Sequence, residues 1–269
     1  MYRSLHCEPM SAHHTRPVAP VAALLGRTVV ITRPAGTGSS MARQVRALGG
    51  RPLLLPGLSL RGMDDAATRA ALADALRDDV LVFSSPAAVR FAARLQVLRT
   101  GATVLAVGQG TARALHRQGV RVVAAPSKRQ DSEGLLDLPI WAELGPCRIA
   151  LIGAPGGRGV LREQLATRGS LREVQVYRRA PPRLRASHWD GLRALERGAC
   201  VLLSSAEAME NLHALAPTAA WQQLTSITAV VSSERLSLAA RTAGFARIRV
   251  ATSANAADLL AAAADVQEV

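Results

Sequence analysis

The chain has 269 residues, 49% of them hydrophobic, with 33 Lys and Arg against 20 Asp and Glu, a formal net charge of +13. This length fits one large domain or two of about 100–150 residues. It holds no membrane span, because the longest candidate, VAPVAALLG at Val18 to Gly26, is interrupted by Pro20 and falls far short of the ~20 apolar residues required. The charge invites a nucleic-acid reading, but Lys128 is the sole lysine. The arginines (Arg43, Arg46, Arg69, Arg90, Arg94, Arg113, Arg117) are spread over presumed helix faces, and no stacking-rich strand motif exists. Attraction for anionic small molecules is compatible with this charge, and no nucleic-acid partner is expected.

The first 25 residues are rich in His, Pro and Arg and carry no sustained period, so residues 1–25 are expected to be a disordered extension. His6, His13 and His14 fit a solvated tail better than a metal tract. No signal peptide is read, for want of a long apolar core and an A-x-A site. Cys7, Cys147 and Cys200 are scattered with no C-x-x-C, which argues against a disulfide framework or a zinc site and leaves the cytoplasm as the default.

From Gly26 onward the chain repeats itself with a period of roughly 120 residues. GRTVVITRPAG (Gly26 to Gly36) resembles CRIALIGAPGG (Cys147 to Gly157), and a helical pattern ending near Gly49 or Gly169 follows each. VLVFSSPAAVRFAARL (Val80 to Leu95) resembles CVLLSSAEAMENLHAL (Cys200 to Leu215). LAVGQGTARALHRQG (Leu105 to Gly119) aligns with TAVVSSERLSLAARTAG (Thr228 to Gly244), and RVVAAPSKRQDSEGLLDL with RIRVATSANAADLLAA. Continuous apolar strands alternating with helices imply parallel sheets covered on both faces, hence two α/β domains. The repeat alone would permit two consecutive domains.

In such sheets ligands bind beyond the carboxyl ends of the strands. The polar turns there are Thr32 to Ser39, Ser84–Ser85, Gly108 to Thr111, Ser132–Glu133, Gly153 to Gly157, Ser204–Ser205 and Ser232–Ser233. Ser85 before Pro86 reads as a helix N-cap, and Ser204–Ser205 as its partner; capping and anion binding at the same turn are compatible. Arg33 ends the first strand, facing the expected site, and Glu133 suits the first turn of a helix. His116, His188 and His213 are isolated and read as surface or packing residues. GQGTAR and GGRGVL fail the dinucleotide fingerprint, and no P-loop, G-x-S-x-G or H-E-x-x-H exists, which disfavours nucleotide, hydride and triad chemistry.

Tyr177 and Tyr2 are the only tyrosines. In EVQVYRR, alternation puts Val174 and Val176 on one face and Glu173, Gln175 and Tyr177 on the other, wetter one. Two uses of the phenol stay open: an amphipathic ring at a domain junction with its hydroxyl in water, or a group with chemistry to do.

The ordered set ITRP, VFSSPAAV, AVGQGTARAL, SEGLL, GGR…L, VYRR, LSSAEAMENL and VVSSERLSLAARTAGF, from about Gly26 to Ala264, resembles the uroporphyrinogen-III synthase family. The resemblance implies two similar flavodoxin-like, parallel-sheet domains joined by a two-stranded crossover connector, with a cleft between them. One domain would be 26–54 plus 180–269 and the other 58–174, with 55–57 and 175–179 as crossovers.

It also implies cofactor-free, metal-free cyclisation of hydroxymethylbilane, a linear tetrapyrrole with acetate and propionate arms, by way of an azafulvene and a spiro-pyrrolenine that inverts ring D. By motif, Tyr177 is the implied proton donor to the departing hydroxyl. Arg33, Ser84, Ser85, Gly108, Thr111, Ser132, Gly153, Ser204, Ser205 and Ser232 are the implied substrate contacts. Ser232–Ser233 stand where members often have a Gly/Thr turn, and Ala87 where some carry a basic residue. A monomer with at most transient contact with the preceding pathway enzyme is implied. Two other readings are a non-catalytic sensor of tetrapyrroles or other anions on the same fold, and a nucleotide-sugar or phosphate enzyme.

Overall fold

The computed structural model describes residues 23–121, 123–127, 129–156, 159–196 and 198–266. The expectations for residues 1–22, including His6, His13 and His14, and for Lys128 and Gly157, lie outside the described residues. For 23–25 the extension is corrected: Leu24 is buried, packs among Val29, Val45 and Leu260, and donates its N–H to Leu48 O at 2.9 Å.

In chain order the elements are β1 (Thr28–Ile31), α1 (Ser39–Ala47), β2 (Arg51–Leu54), β3 (Ser59–Gly62), α2 (Ala66–Ala75), β4 (Val80–Phe83), α3 (Pro86–Leu95), β5 (Thr103–Ala106), α4 (Gln109–Arg117) and α5 (Ser132–Leu136). A 3-10 turn (Pro139–Ala142) leads to β6 (Cys147–Gly153), α6 (Val160–Ala166), β7 (Gly169–Gln175), β8 (Tyr177–Ala180), α7 (Ala186–Arg193) and β9 (Cys200–Leu203). The chain ends in α8 (Ala206–Leu215), α9 (Thr218–Thr225), β10 (Thr228–Val231), α10 (Glu234–Thr242), β11 (Ile248–Val250) and α11 (Ala256–Ala264). Among the described residues no helix is long and apolar enough to cross a membrane.

The chain forms two compact units: one runs to Leu55 and resumes at Leu184, the other is Pro56–Arg183. In the first, the parallel strands lie in the order β2-β1-β9-β10-β11. Numbered within the unit this is 2-1-3-4-5, a doubly wound order. In the second, the parallel order is β7-β6-β4-β5, and an isolated bridge from Leu105 to Ala124 stands where a fifth strand would be. Each sheet therefore joins the front half of one repeat to the back half of the other.

Buried strands carry this arrangement. Val80, Leu81 and Val82 are fully buried, as are Cys200 and Val201, because an apolar run can serve two covered faces. Leu81 and Phe83 join the core on the α3 side, while Val80 and Val82 join the one that holds Leu161 and Leu165 of α6. Asp78, almost wholly buried, is neutralised by Arg172 Nε at 3.1 Å, as burial of a carboxylate requires.

β3 and β8 form an antiparallel ribbon, with Ser59 opposite Ala180 and Gly62 opposite Tyr177. RPLLLPGLSL thus opens as a strand of the first sheet. REVQVYRR is two strands rather than one, since β7 ends at Gln175. Val176 lies between them, donating its N–H to Gly153 O at 3.0 Å. This corrects the placement of Tyr177 on a wetter face. The change of partner breaks the period of two, and both Val176 and Tyr177 are buried, with Tyr177 at 7% exposure.

Candidate active site

In the second unit, β4 and β6 are neighbours, with Phe83 paired to Ile152, and the helices that follow them leave to opposite faces of the sheet. Divergence of this kind opens a crevice at the strand ends, the usual ligand position in a doubly wound sheet. A pocket of about 410 Å³ lies there, within the size range of small-molecule sites. Ser84, Ser85, Ser132 and Gly153, all expected contacts, line it together with Tyr177, the expected proton donor. Leu151, Val174 and Leu161 supply apolar wall.

The turn after β4 is built by hydrogen bonds of its two serines. Ser84 donates both its N–H (3.1 Å) and its hydroxyl (3.2 Å) to Ile152 O. A Cβ at Gly153 would lie 2.4 Å from Ser84 Oγ, so a larger residue there would turn the Ser84 hydroxyl off Ile152 O. Ser85 is extended (φ −168°, ψ 160°) and its Oγ accepts the N–H of Ala88 at 3.0 Å, capping α3 with Pro86 at the first helical position. The same Oγ lies 3.1 Å from Tyr177 Oη. The phenol is therefore bonded within the pocket and its ring is buried.

Charge at the pocket is mostly positive. Arg162 and Arg179 line it with one carboxylate, Glu173, whose Oε1 is 4.0 Å from Arg162 Nη1. Arg179 Nη2 donates to Pro155 O at 3.3 Å, over the turn whose Gly156 has φ 74°. Sequence reasoning did not select Arg162, Arg179, Gln175 or Glu173 as site residues. The signal for Arg179 was available: in a strand that starts at Tyr177, residue i+2 shares its face. Two guanidiniums, three serine hydroxyls and a phenol suit an anionic, oxygen-rich ligand.

The remaining expected contacts do not line this pocket. Gly108 is the N-cap of α4, but Gln130 covers that turn, its Oε1 accepting the N–H of Gln109 at 3.1 Å, and Thr111 is buried in the first turn. Glu133 lies in the first turn of α5, 3.6 Å from Arg129 Nη2.

In the first unit Ser205 caps α8, accepting from Ala208 N at 3.3 Å, and Ser204 precedes it, half-buried. Ser233 caps α10, while Ser232 donates its N–H to Leu203 O at 3.2 Å. Arg33 donates to Ala254 O at 3.0 Å, and burial lowers its guanidinium below the ordinary value. Thr32, buried beside it, donates its hydroxyl to Leu202 O at 2.7 Å. Among the described residues no group of three or more His, Cys, Asp or Glu is placed to hold a metal ion.

Residues 39–261 match the family model described as uroporphyrinogen-III synthase HemD. The uroporphyrinogen-III synthase of Salmonella typhimurium is 32% identical over 251 residues, which span 87% of this chain and 99% of the relative. That of Escherichia coli is 30% identical over 256 residues, with coverages of 87% and 99%. Among solved structures, uroporphyrinogen-III synthetase from Helicobacter pylori aligns with a TM-score of 0.60 at 14% identity, over 90% of this chain and 100% of that one. A mutant uroporphyrinogen III synthase from Thermus thermophilus aligns at 0.53 and 20% identity, over 88% and 96%. At those identities the structural likeness speaks for the fold.

Proposed function

The chain belongs to the uroporphyrinogen-III synthase family, cyclising lyases of haem biosynthesis, and we propose that the pocket at the ends of β4 and β6 is where its cyclisation chemistry begins. The observation that supports this most is that Tyr177 lines that pocket together with Arg162 and Arg179, its Oη hydrogen-bonded to Ser85.

In this reading the substrate is hydroxymethylbilane and no cofactor is needed. Tyr177 gives its proton to the hydroxyl oxygen of the substrate as the C–O bond breaks, releasing water and leaving a cationic azafulvene. The phenolate recovers a proton when the closing macrocycle regains aromaticity, so substrate becomes product plus water. Neutral phenols keep their proton at neutral pH and serve as acids when positioned.

Arg162, Arg179 and Ser132 hold carboxylate arms, Ser84 reaches one only by releasing Ile152 O, and Gly153 keeps the turn narrow. Arg33, Ser204, Ser205 and Ser232 are proposed as further contacts, and Gly108 and Thr111 become contacts only where Gln130 leaves the α4 turn. The uncatalysed closure gives the symmetric isomer, so holding one conformation of a flexible chain is the main task, a matter of orientation. A monomer in the cytoplasm, meeting the preceding pathway enzyme only transiently, belongs to the same reading.

The test is to supply fresh hydroxymethylbilane and separate the oxidised porphyrin isomers. The type III isomer is expected; only type I, at the rate without enzyme, overturns the reading. Tyr177→Phe is expected to slow type III formation by on the order of 10²-fold without abolishing it, since positioning persists.

A further inference from the structure

We propose that Ser85 is a positioning residue for Tyr177, turning the phenolic proton toward the pocket and stabilising the oxygen once that proton has left. The proposal rests on the reading of Tyr177 as proton donor. A serine hydroxyl has one proton to give and two positions at which to accept. One acceptor position of Ser85 Oγ is taken by the N–H of Ala88 at 3.0 Å, which fixes the oxygen at the N-terminus of α3. Between Ser85 Oγ and Tyr177 Oη, 3.1 Å apart, either oxygen can donate, and in the proposed arrangement the serine does. A phenol that accepts there is free to aim its own O–H elsewhere, and the pocket is what it lines.

The neighbouring serine cannot substitute. Ser84 gives its proton to Ile152 O at 3.2 Å. Nor is the bond a mere by-product of capping: Ser205, the counterpart of Ser85 in the repeat, and Ser233 cap their helices with no tyrosine beside them among the described residues.

As Tyr177 releases its proton, the bond from Ser85 changes from neutral to charge-assisted and roughly doubles in strength. An interaction that strengthens in this way acts on the transition state more than on bound substrate. The N-terminus of α3 adds favourable dipole to the same oxygen pair.

Ser85→Ala is expected to lower kcat about 10- to 100-fold with KM changed less than about twofold. Ser85→Thr, which keeps the hydroxyl, restores most of the rate. On the Tyr177→Phe background Ser85→Ala changes kcat less than about twofold, because two groups that act as one are not additive. Loss of a cap is separated by Asp65→Ala, which removes the cap of α2 (Thr68 N–H at 2.7 Å) and should lower the thermal midpoint while leaving kcat unchanged.

Should Ser85→Ala fail to fold, Ser85→Gly carries the test, glycine being a tolerated N-cap. Equal losses in both tyrosine backgrounds, or a rise in KM alone, overturn the proposal for Ser85. A full rate in Tyr177→Phe overturns it together with the role of the tyrosine. Absence of type III product from the unaltered protein overturns the proposed reaction instead.

Discussion

The ring of Phe91 stacks on that of Tyr177, with centroids 5.2 Å apart and planes inclined by 17°. Gly62, opposite Tyr177 across the ribbon, makes room for it: a Cβ there would lie 3.1 Å from Phe91 Cδ1. The guanidinium of Arg94 sits 5.3 Å from the Phe91 ring centroid. The phenol is thus held by its face as well as by its oxygen. Phe91→Leu keeps apolar volume and removes the stack, so a loss of about 1 kcal/mol in stability is expected by urea titration. Steady-state kinetics should show kcat falling several-fold with KM nearly constant. A change confined to KM would mean that the stack does not orient the phenol.

Gly153→Ala tests the narrow turn. Its methyl would press on Ser84 Oγ, and Ser84 can yield only by giving up its bond to Ile152 O. A destabilisation of about 1–3 kcal/mol is expected, as for other insertions into packed sites. A raised KM follows from the displaced Ser84. Unchanged unfolding and unchanged KM together would show that the turns separate easily.

Acid sensitivity has an identifiable contributor. Asp79 accepts from Arg148 N at 2.8 Å and from its Nε and Nη2 at 3.3 and 3.1 Å, and these bonds hold its carboxyl below the ordinary value. A group depressed in the folded state contributes stability above its unfolded value, near pH 4, and that contribution is lost as pH falls through the folded value. Asp79→Asn should therefore lower the thermal midpoint at pH 7 and flatten its decline below about pH 4. A mutant whose midpoint falls with acid as steeply as the parent would assign the effect elsewhere.

The thiols differ in reach. Cys200 is fully buried, and burial pushes its thiol up to about 12; Cys147 is half-buried and raised by burial and by Asp79. With Cys7 replaced by serine, a thiol reagent at pH 8 should label Cys147 slowly and Cys200 only after unfolding. Labelling of Cys200 at the native rate of Cys147 would reveal local opening of β9.

Local patterns carried much of this fold. VLVF and CVLL read as buried strands because four apolar residues in a row suit a sheet covered on both faces. Ser85-Pro86 read as a cap because its chemistry is local. Tyr177 was harder: alternation holds only while a strand keeps its partner, and here Gln175 ends one ladder and Tyr177 starts another. Gln130 over the α4 turn and Arg162 beside Glu173 are meetings of distant segments, which no period encodes. The exchange of repeat halves is likewise a matter of pairing, with Val29 beside Cys200 rather than beside a strand of its own copy's second half.

The ribbon of β3 and β8 also bears on how the chain finds its fold during synthesis. β1 and β2 leave the ribosome long before β9, the missing neighbour of β1, and without help the intervening chain would form a large loop with its own closure entropy. The inserted unit is continuous in sequence, so it can complete itself first, as domains generally do. Once Ser59 and Ala180 are paired, the places where the chain enters and leaves that unit are side by side. The long insertion then acts as a short tether, and β9 is delivered to β1 at high local concentration.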